Sequence, residues 1–376
     1  MGIGRKGTIM KRTVVIVSCL FTGTWTAIAS AETVTWQKSA TNYGTGALPS
    51  IAQSWNGTAA EVHETTQADH LDDYGGTYTK FAGPASYSDG YSPSVSGVAT
   101  QLQAVEVHQT STGVGPIAYT IGTLNTGKAV AFGKSTNFDT GLNPQVSGYT
   151  PYAGDTPAAV EVHQQSSGVA GIFLNFGVAQ VTPPNNYTWT SVNWVGSTAG
   201  YIAQGENPAV AIVPEDGTSE PGGSSTIYYV IEVNQTVSGS GPLAYQTDLV
   251  YEAYGDPNFL EIFPLASGTI GAGTLPAVTF CEQYVGDGFS GGSTLAVVFA
   301  YEGASGKLLS QSATIEQDPS SEYLGDLTPG SLTAPVQYDT GYHPKLSCES
   351  TEGVEVHQAN PTGTGNLFMH GFSVKF

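Results

Sequence analysis

A short pattern that returns six times constrains this chain more than any other feature of its sequence. Gly-x-x-Pro recurs ahead of an apolar stretch, and its prolines are Pro49, Pro93, Pro144, Pro208, Pro276 and Pro344. Successive prolines lie 44, 51, 64, 68 and 68 residues apart. Self-similarity at such periods is the sequence signature of repeat folds such as solenoids and propellers. We therefore divide the chain into six units, numbered from the one that starts at Pro49 to the one that starts at Pro344.

A second pattern follows the first in each unit. In five units a glutamate stands two residues before a histidine or asparagine, and we call these the Glu-x-His pairs. They are Glu61 and His63, Glu106 and His108, Glu161 and His163, Glu232 and Asn234, and Glu355 and His357. The fifth unit has drifted to Phe299 and Tyr301 at these positions.

The second unit shows how the strands are expected to run. Gly-x-x-Pro predicts a turn, after which proline opens a strand without needing an N–H. The expected strands are Ser94–Val98, Ala104–Thr110, Ile117–Ile121 and a fourth around Ala129–Gly133. No segment keeps a helical period. Four short strands per unit, six times over, predict an all-β fold, and specifically a six-bladed β-propeller.

The two ends of the chain favour closure of that ring. The residues before Pro49, counted from Glu32, and those after Pro344 together make about one further unit. A strand at Thr33–Lys38 is therefore expected to complete the sheet that begins at Pro344, which leaves no free seam. A split seven-bladed ring is the alternative, and it needs a seventh unit that the sequence does not show.

Residues 1–31 have the pattern of a secretory signal peptide. Basic residues at the start are followed by the mostly apolar stretch Thr13 to Ile28 and by Ala29-Ser30-Ala31, a small-residue cleavage site. A membrane anchor is the alternative, although several threonines weaken the apolar stretch as a span. We expect a secreted or periplasmic protein made of residues 32–376, with no membrane span after cleavage.

Removing the signal peptide sharpens the charge of the chain. The net charge of the full chain is −20, and both arginines lie in the removed segment. Seven lysines then face 31 acidic residues, which gives −24. Nucleic-acid binding is disfavoured, because phosphate contacts require Lys and Arg. The ligand classes that the charge of the chain still allows are neutral sugars and cationic partners.

One run of the sixth unit resembles a repeat of secreted bacterial lectin-like β-propeller proteins. It reads Tyr338-Asp339-Thr340-Gly341-Tyr342-His343-Pro344 and continues at Val354-Glu355-Val356-His357-Gln358. The resemblance covers essentially all of residues 32–376 and implies binding of carbohydrate or of a cell surface. Fucose-binding six-bladed lectins typically place an arginine in each site, and this chain has none after the signal peptide.

The Glu-x-His pairs have three possible roles. Residues two apart on a strand share a face, so each pair could bind a sugar through a carboxylate and an imidazole. One Glu and one His per unit are too few for a closed zinc site, and no metal or catalytic residue is assigned. The favoured interpretation is structural: polar groups buried between neighbouring units must hydrogen-bond to one another or to turns. The residues that are candidates both for ligand binding and for this structural role are Glu61, His63, Glu106, His108, Glu161, His163, Glu232, Asn234, Glu355 and His357.

Three smaller features remain. Cys281 and Cys348 fall on the first strands of adjacent units and are expected to face each other, so a disulfide is predicted, with two free thiols as the alternative. Asp72 and Asp73 could hold calcium or act as an acid/base pair, but neighbours on a strand face opposite ways. The favoured interpretation is an exposed edge whose charges oppose aggregation, and no cofactor is assigned. The G-x-S-x-G pattern of esterases is matched by Gly288-Phe289-Ser290-Gly291-Gly292. That pattern requires a strand-to-helix elbow, which this glycine-rich loop of a helix-poor chain lacks, so we interpret the match as a chance one.

These features favour a lectin-like binding module for carbohydrate or another surface ligand. Its candidate recognition groups are aromatic residues in or near turns, and the favoured alternative is that many of these residues simply cover the edges of the blades. They are Tyr91, Tyr149, Tyr152, Tyr187, Trp189, Trp194, Tyr201 and Tyr342. The alternatives are an extracellular hydrolase or lyase acting on glycans, and a propeller that serves only as a structural or interaction scaffold. The fold does not decide among them.

Overall fold

The computed structural model describes the greater part of the chain after the first 32 residues. The described residues are 33–54, 58–65, 68–75, 85–88, 90–98, 102–124, 130–149, 157–181, 188–194, 200–214, 226–252, 260–285, 292–315 and 332–376. The predicted signal peptide, the esterase-like string except for Gly292, and Tyr152 and Tyr187 lie outside them.

The protein is all-β, as predicted, and its described residues contain no α-helix. A single 3-10 turn lies at Ala304–Gly306. The strands are β1 Thr33–Trp36, β2 Thr41–Gln53, β3 Thr58–Thr65, β4 Ala68–Gly75, β5 Ala85–Ser88, β6 Tyr91–Val98, β7 Gln103–Gln109, β8 Gly115–Thr123, β9 Ala131–Phe132, β10 Thr136–Tyr149, β11 Ala158–Gln164, β12 Ala170–Val181, β13 Trp189–Trp194, β14 Gly200–Pro214, β15 Thr226–Gln235, β16 Gly241–Glu252, β17 Leu260–Val285, β18 Gly292–Glu302, β19 Lys307–Ile315, β20 Val336–Thr340, β21 Tyr342–Glu349, β22 Glu352–Gln358 and β23 Gly365–Lys375.

The Gly-x-x-Pro segments are bulges and not the predicted turns. In four of the units the strand runs through the motif, in β2, β10, β14 and β17. The pairing with the next strand shifts register across each motif, for example between Leu142 and Gln145. The residue before each proline has a positive φ between 49° and 56°, and this left-handed backbone re-aims the strand. The two ends of one strand can therefore pair with different neighbours.

Pairing follows one repeated antiparallel scheme. After each Gly-x-x-Pro the chain forms a first strand, a second strand that carries the Glu-x-His positions, a third strand, and a fourth that leads into the next motif. The strands form an 8-stranded sheet and a 15-stranded sheet. In the second unit the fourth strand is the start of β10, where Thr136 pairs with Tyr119. The predicted strand around Ala129–Gly133 is only the two-residue β9, which pairs at the far end of β8.

The two ends of the described chain belong to one sheet. Strand β1 pairs with β23, and Trp36 lies opposite Phe372. The beginning of β2 also pairs with β23, where Gly46 lies opposite Gly365. The segment predicted at Thr33–Lys38 therefore pairs with the sheet of the sixth unit, beside the longer contribution of β2.

Buried apolar residues lie between successive units. Ile231 of the fourth unit and Phe299 of the fifth belong to one cluster, and both are completely buried. Ile51 of the first unit and Met369 of the sixth belong to another. The second strands are buried along their whole length in β7 and β11. Burial on both faces explains why these strands contain so few charged residues apart from the Glu-x-His pairs.

Candidate functional site

A tunnel is lined by the first strands of the six units. Its narrow mouth encloses about 130 Å³ and is bordered by the residue before the proline in all six Gly-x-x-Pro motifs and by five of the six prolines, all but Pro144. We call this mouth the proline ring. The next residues along the strands line a waist of about 40 Å³. Beyond the waist, a wide cavity of about 740 Å³ opens at the other end.

The wide cavity presents hydroxyl groups, an aromatic ring and carboxylates. Among its lining residues are Ser96, Ser147 and Ser347, which occupy one position three residues after the proline. Each serine oxygen accepts a backbone N–H from the first strand of the next unit, as from Ile212 N to Ser147 Oγ at 3.2 Å. The hydroxyl protons of Ser147 and Ser347 are thus left to be donated, whereas Ser96 donates its own to Gly97 O at 3.4 Å. The lining also contains Tyr149, Phe280, Glu282 and Glu349.

A second repeated hydrogen bond joins the units at the proline ring. The residue that follows the Glu-x-His position is Gln or Glu in every unit, and its Oε1 accepts the N–H of the residue before proline in the next unit. We call this bond the clasp. The donors and acceptors are Leu48 to Gln358 (2.7 Å), Ser92 to Glu64, Asn143 to Gln109 (2.8 Å), Asn207 to Gln164 (2.8 Å), Leu275 to Gln235 (2.7 Å) and His343 to Glu302 (2.5 Å).

The choice between Gln and Glu at the clasp follows the length of the adjoining hairpin. Where the hairpin is long, the glutamine amide also donates to one of its carbonyls, as from Gln164 Nε2 to Gly168 O at 3.0 Å. Gln109, Gln235 and Gln358 do the same. The two glutamates precede shorter connections, from β3 to β4 and from β18 to β19. A carboxylate suffices there, because it has to accept the N–H but has no long hairpin to support.

Burial raises the pKa of the clasp carboxyl of Glu302, although the His343 N–H and the Thr274 hydroxyl oppose this effect. A raised pKa in the folded state means that stability from this group is complete below the unfolded pKa and is lost as the pH rises. We expect Glu302→Gln to keep the clasp and to increase the free energy of unfolding at pH 7 by on the order of 1 kcal/mol. Denaturant melts should show this gain shrinking toward pH 4. A gain that does not change with pH would contradict the assignment.

The Glu-x-His positions lie inside the protein rather than at its surface. Four of the five glutamates accept from the Nδ1 of the histidine in their own pair, at 2.9 Å for His63 and His108, 3.1 Å for His163 and 3.0 Å for His357. The ten residues of the five pairs are between 0% and 3% exposed. The prediction that both side chains share one face is confirmed by these contacts. Sugar would have no access to them without opening the interface between units.

The histidines also explain the glycine of Gly-x-x-Pro. The ring of His63 lies directly against Gly46, where a Cβ would overlap the imidazole. The same overlap would occur between Gly141 and His163 and between Gly341 and His357. The two motifs therefore form one packing arrangement, in which a flat side chain covers a glycine of the preceding segment.

Two units extend the pair into a larger polar cluster. In the third unit Asn175 Nδ2 donates to Glu161 Oε2 at 2.9 Å and to Asp139 Oδ2 at 2.6 Å. Burial by itself would lower the pKa of His163, but the charges of Glu161 and Asp139 raise it. In the sixth unit His370 takes the place of Asn175 and contacts Asp339 at 2.6 Å.

The fourth unit has two buried acids in the corresponding region. Burial and the neighbouring charge of Asp248 raise the pKa of Glu232 well above its ordinary value, against a hydrogen bond from Asn234. Burial also raises the pKa of Asp248, against hydrogen bonds from Gln246. Both carboxyls are thus pushed toward their protonated forms.

Other predicted features have mixed outcomes. Cys281 and Cys348 form the predicted disulfide, with their Cα atoms 5.3 Å apart. The backbones of Asp72 and Asp73 pair with β3 opposite Glu61 and Ala60. Among the described residues, no group of three or more His, Cys, Asp or Glu side chains is placed to hold a metal ion. Of the predicted aromatic groups, Tyr149 lines the wide cavity, Tyr201 is exposed and Trp189 is buried.

The clasp residues and Lys345 are positions that the two repeated motifs do not single out. A Gln or Glu after every Glu-x-His position was visible in the sequence and persists even where the fifth unit has lost the pair. Lys345 stands directly after Pro344, where the other units have Ser, Gln or Ala. Nothing in the pattern indicated that this position faces the tunnel.

The part of the chain that the structure describes contains no helix long and apolar enough to cross a membrane. No protein-family model matches the chain, and no curated protein matches it.

Proposed function

We propose that the protein is a lectin-like binding module that holds a carbohydrate in the wide cavity. The lining of that cavity carries the proposal. Ser147 and Ser347 supply hydroxyl donors, and Glu282 and Glu349 supply acceptors, which is the mixture that sugar hydroxyls require. Tyr149 adds an aromatic surface of the kind on which sugar rings pack. A volume of about 740 Å³ lies in the range of small-molecule sites.

The scaffold in this proposal is a six-bladed β-propeller formed by residues 32–376. Each repeated unit is one blade, and the first strands surround the tunnel. Two observations support the ring: every unit makes the same clasp to the next, and the strands from the two ends pair with each other. A propeller closed in this way leaves only short protected edges.

The location in this proposal is outside the cytoplasm, after residues 1–31 are removed as a signal peptide. The Cys281–Cys348 disulfide supports it, because structural disulfides persist in oxidising compartments. The Glu-x-His pairs are then structural. Their burial and their contacts with the glycines of the preceding segments support that role over repeated ligand binding.

Tyr149 provides the variant that tests the cavity. We expect Tyr149→Ala to weaken binding of the best ligand on a glycan array by about tenfold, which corresponds to one aromatic contact of about 1.4 kcal/mol. Tyr201→Ala is the matched control, because Tyr201 is 62% exposed and does not belong to the lining of the wide cavity. Affinities of both variants can be measured by titration calorimetry with the ligand that the array selects.

The array also separates the other functions. Equal loss of binding in both variants would contradict the cavity as the site. Release of reducing ends from a bound glycan would identify a hydrolase or lyase. If the folded protein binds no glycan on the array, the remaining function is that of a structural or interaction scaffold.

A further inference from the structure

The proline ring and the waist differ in charge from the rest of the protein. The chain carries 31 acidic residues, yet none of the described residues that line the ring or the waist has a carboxylate. The only ionisable groups among them are His343 and Lys345, and both are bases. The residues that line this end of the tunnel therefore do not share the strongly negative balance of the whole chain.

Lys345 crosses the tunnel without a negative partner. Its ammonium donates to Gln145 Oε1, a neutral acceptor in the third unit, three units away around the ring. No ion pair among the described residues includes Lys345, and its charge lowers the pKa of His343 further. Burial lowers the pKa of Lys345 to about 8. An ammonium that is partly removed from water without a counter-charge costs stability, so an anion at this place would be stabilising.

Hydroxyl groups beside Lys345 add hydrogen-bond donors. Ser50 Oγ accepts from Val95 N, and Ser94 Oγ accepts from Val146 N, both at 3.1 Å. Since each serine oxygen already accepts a backbone N–H, its hydroxyl proton can be donated to a ligand in the waist. The sixth, first, second and third units thus present polar groups in succession, whereas the fourth and fifth contribute alanines. The polar positions are Lys345, Ser50, Ser94 and Gln145, and the apolar ones are Ala209 and Ala277.

We propose that the proline ring and the waist form a binding site for a small carboxylate, with Lys345 as its counter-charge. This site is separate from the wide cavity and does not depend on a carbohydrate binding there. The mouth of about 130 Å³ has room for roughly ten water molecules, on the scale of one probe sphere per water. A small organic acid of comparable size fits, with its carboxylate at the waist and its remainder among the prolines and the Asn143 and Asn207 amides.

The surroundings of the site favour a single negative charge. Glu64 and Glu302 lie near the ring, but each accepts a backbone N–H in a clasp and neither lines the mouth. Together with the net charge of the chain, they repel ligands that carry several negative charges. Monocarboxylates are therefore expected to bind better than phosphate or sulfate.

The test compares acids with neutral molecules of the same skeleton. Lactate and glucuronate are titrated into the wild-type protein, with glycerol and glucose as their neutral counterparts, and phosphate and sulfate as inorganic anions. We expect at least one acid to bind with a Kd of about 1 mM. We expect that acid to bind Lys345→Met at least tenfold more weakly. Lys307→Met is the matched control, because Lys307 is an exposed lysine outside the tunnel, and it should bind as the wild type does.

A second measurement does not depend on any variant. NMR of the lysine side chains should show that the bound acid raises the pKa of Lys345, because an anion favours the ammonium form. Equal affinity of wild type and Lys345→Met would overturn the proposal, as would an unchanged pKa at saturation. Equal binding of the neutral counterparts, binding of inorganic anions alone, or no binding of either acid would also overturn it.

Discussion

Replacing Cys281 and Cys348 together by alanine is expected to lower the free energy of unfolding by about 4 kcal/mol. The bond joins the first strands of the fifth and sixth units across 67 residues of sequence, and a cross-link restricts the unfolded chain more as the loop it closes becomes longer. Cys281 is also completely buried in an apolar cluster with Ala296 and Leu346. For a domain of this size the melting temperature should fall by roughly 5 °C.

Calorimetry in the presence and absence of a reductant checks this result. Once a thiol assay shows that the reductant has broken the disulfide, the melting temperature of the wild-type protein should be lower than without reductant. It should leave the double alanine variant unchanged, which controls for unspecific effects of the reagent. Equal melting temperatures for the oxidised protein and the variant would show that the bond contributes nothing to the fold.

The second large effect is expected from Gly46→Ala, with a loss of about 3 kcal/mol. The new Cβ would overlap the imidazole of His63, which is 2% exposed and held by Glu61. Neither ring nor backbone can move without disturbing the packing between the first and sixth units. Gly44→Ala is the matched control in the same strand, because a Cβ on Gly44 meets nothing within 4 Å. The control should unfold within about 0.5 kcal/mol of the wild type.

A double-mutant cycle assigns that loss to the contact. His63→Ala removes the ring and should itself destabilise the protein, because it leaves Glu61 buried without its partner. In the His63→Ala background, Gly46→Ala should lower the free energy of unfolding much less than it does in the wild type. The difference is a coupling energy of about 2 kcal/mol. Denaturant unfolding of the four proteins measures it. Additive losses would mean that Gly46 is required for another reason.

The sequence was sufficient to predict the all-β class, the repeated units and the disulfide. These follow from local rules: spacing identifies the units, alternation identifies the strands, and the odd and even offsets of Cys281 and Cys348 from their prolines orient them toward each other. The shared face of Glu161 and His163 follows from the same period of two residues.

Other features depend on contacts between units that no local pattern contains. Gly-x-x-Pro was predicted as a turn because proline and glycine usually mark turns, whereas the neighbouring unit holds the motif as a bulge through the clasp. The fourth strand of the second unit was placed near Ala131, because the longer pairing of β10 with β8 depends on the register of the third unit. Likewise, Lys345 and Gln145 are 200 residues apart in sequence, and only the packing of the units brings them together.

The central claim is that the same clasp joins each unit to the next around the whole ring. Hydrogen exchange at the six amides before the prolines tests it most directly, since each N–H is bonded to a Gln or Glu of the preceding unit. These amides belong to Leu48, Ser92, Asn143, Asn207, Leu275 and His343. A closed ring predicts that all six are protected as strongly as amides within the strands. Exchange at the rate of an unprotected peptide at any one of them would show that the ring is open at that junction.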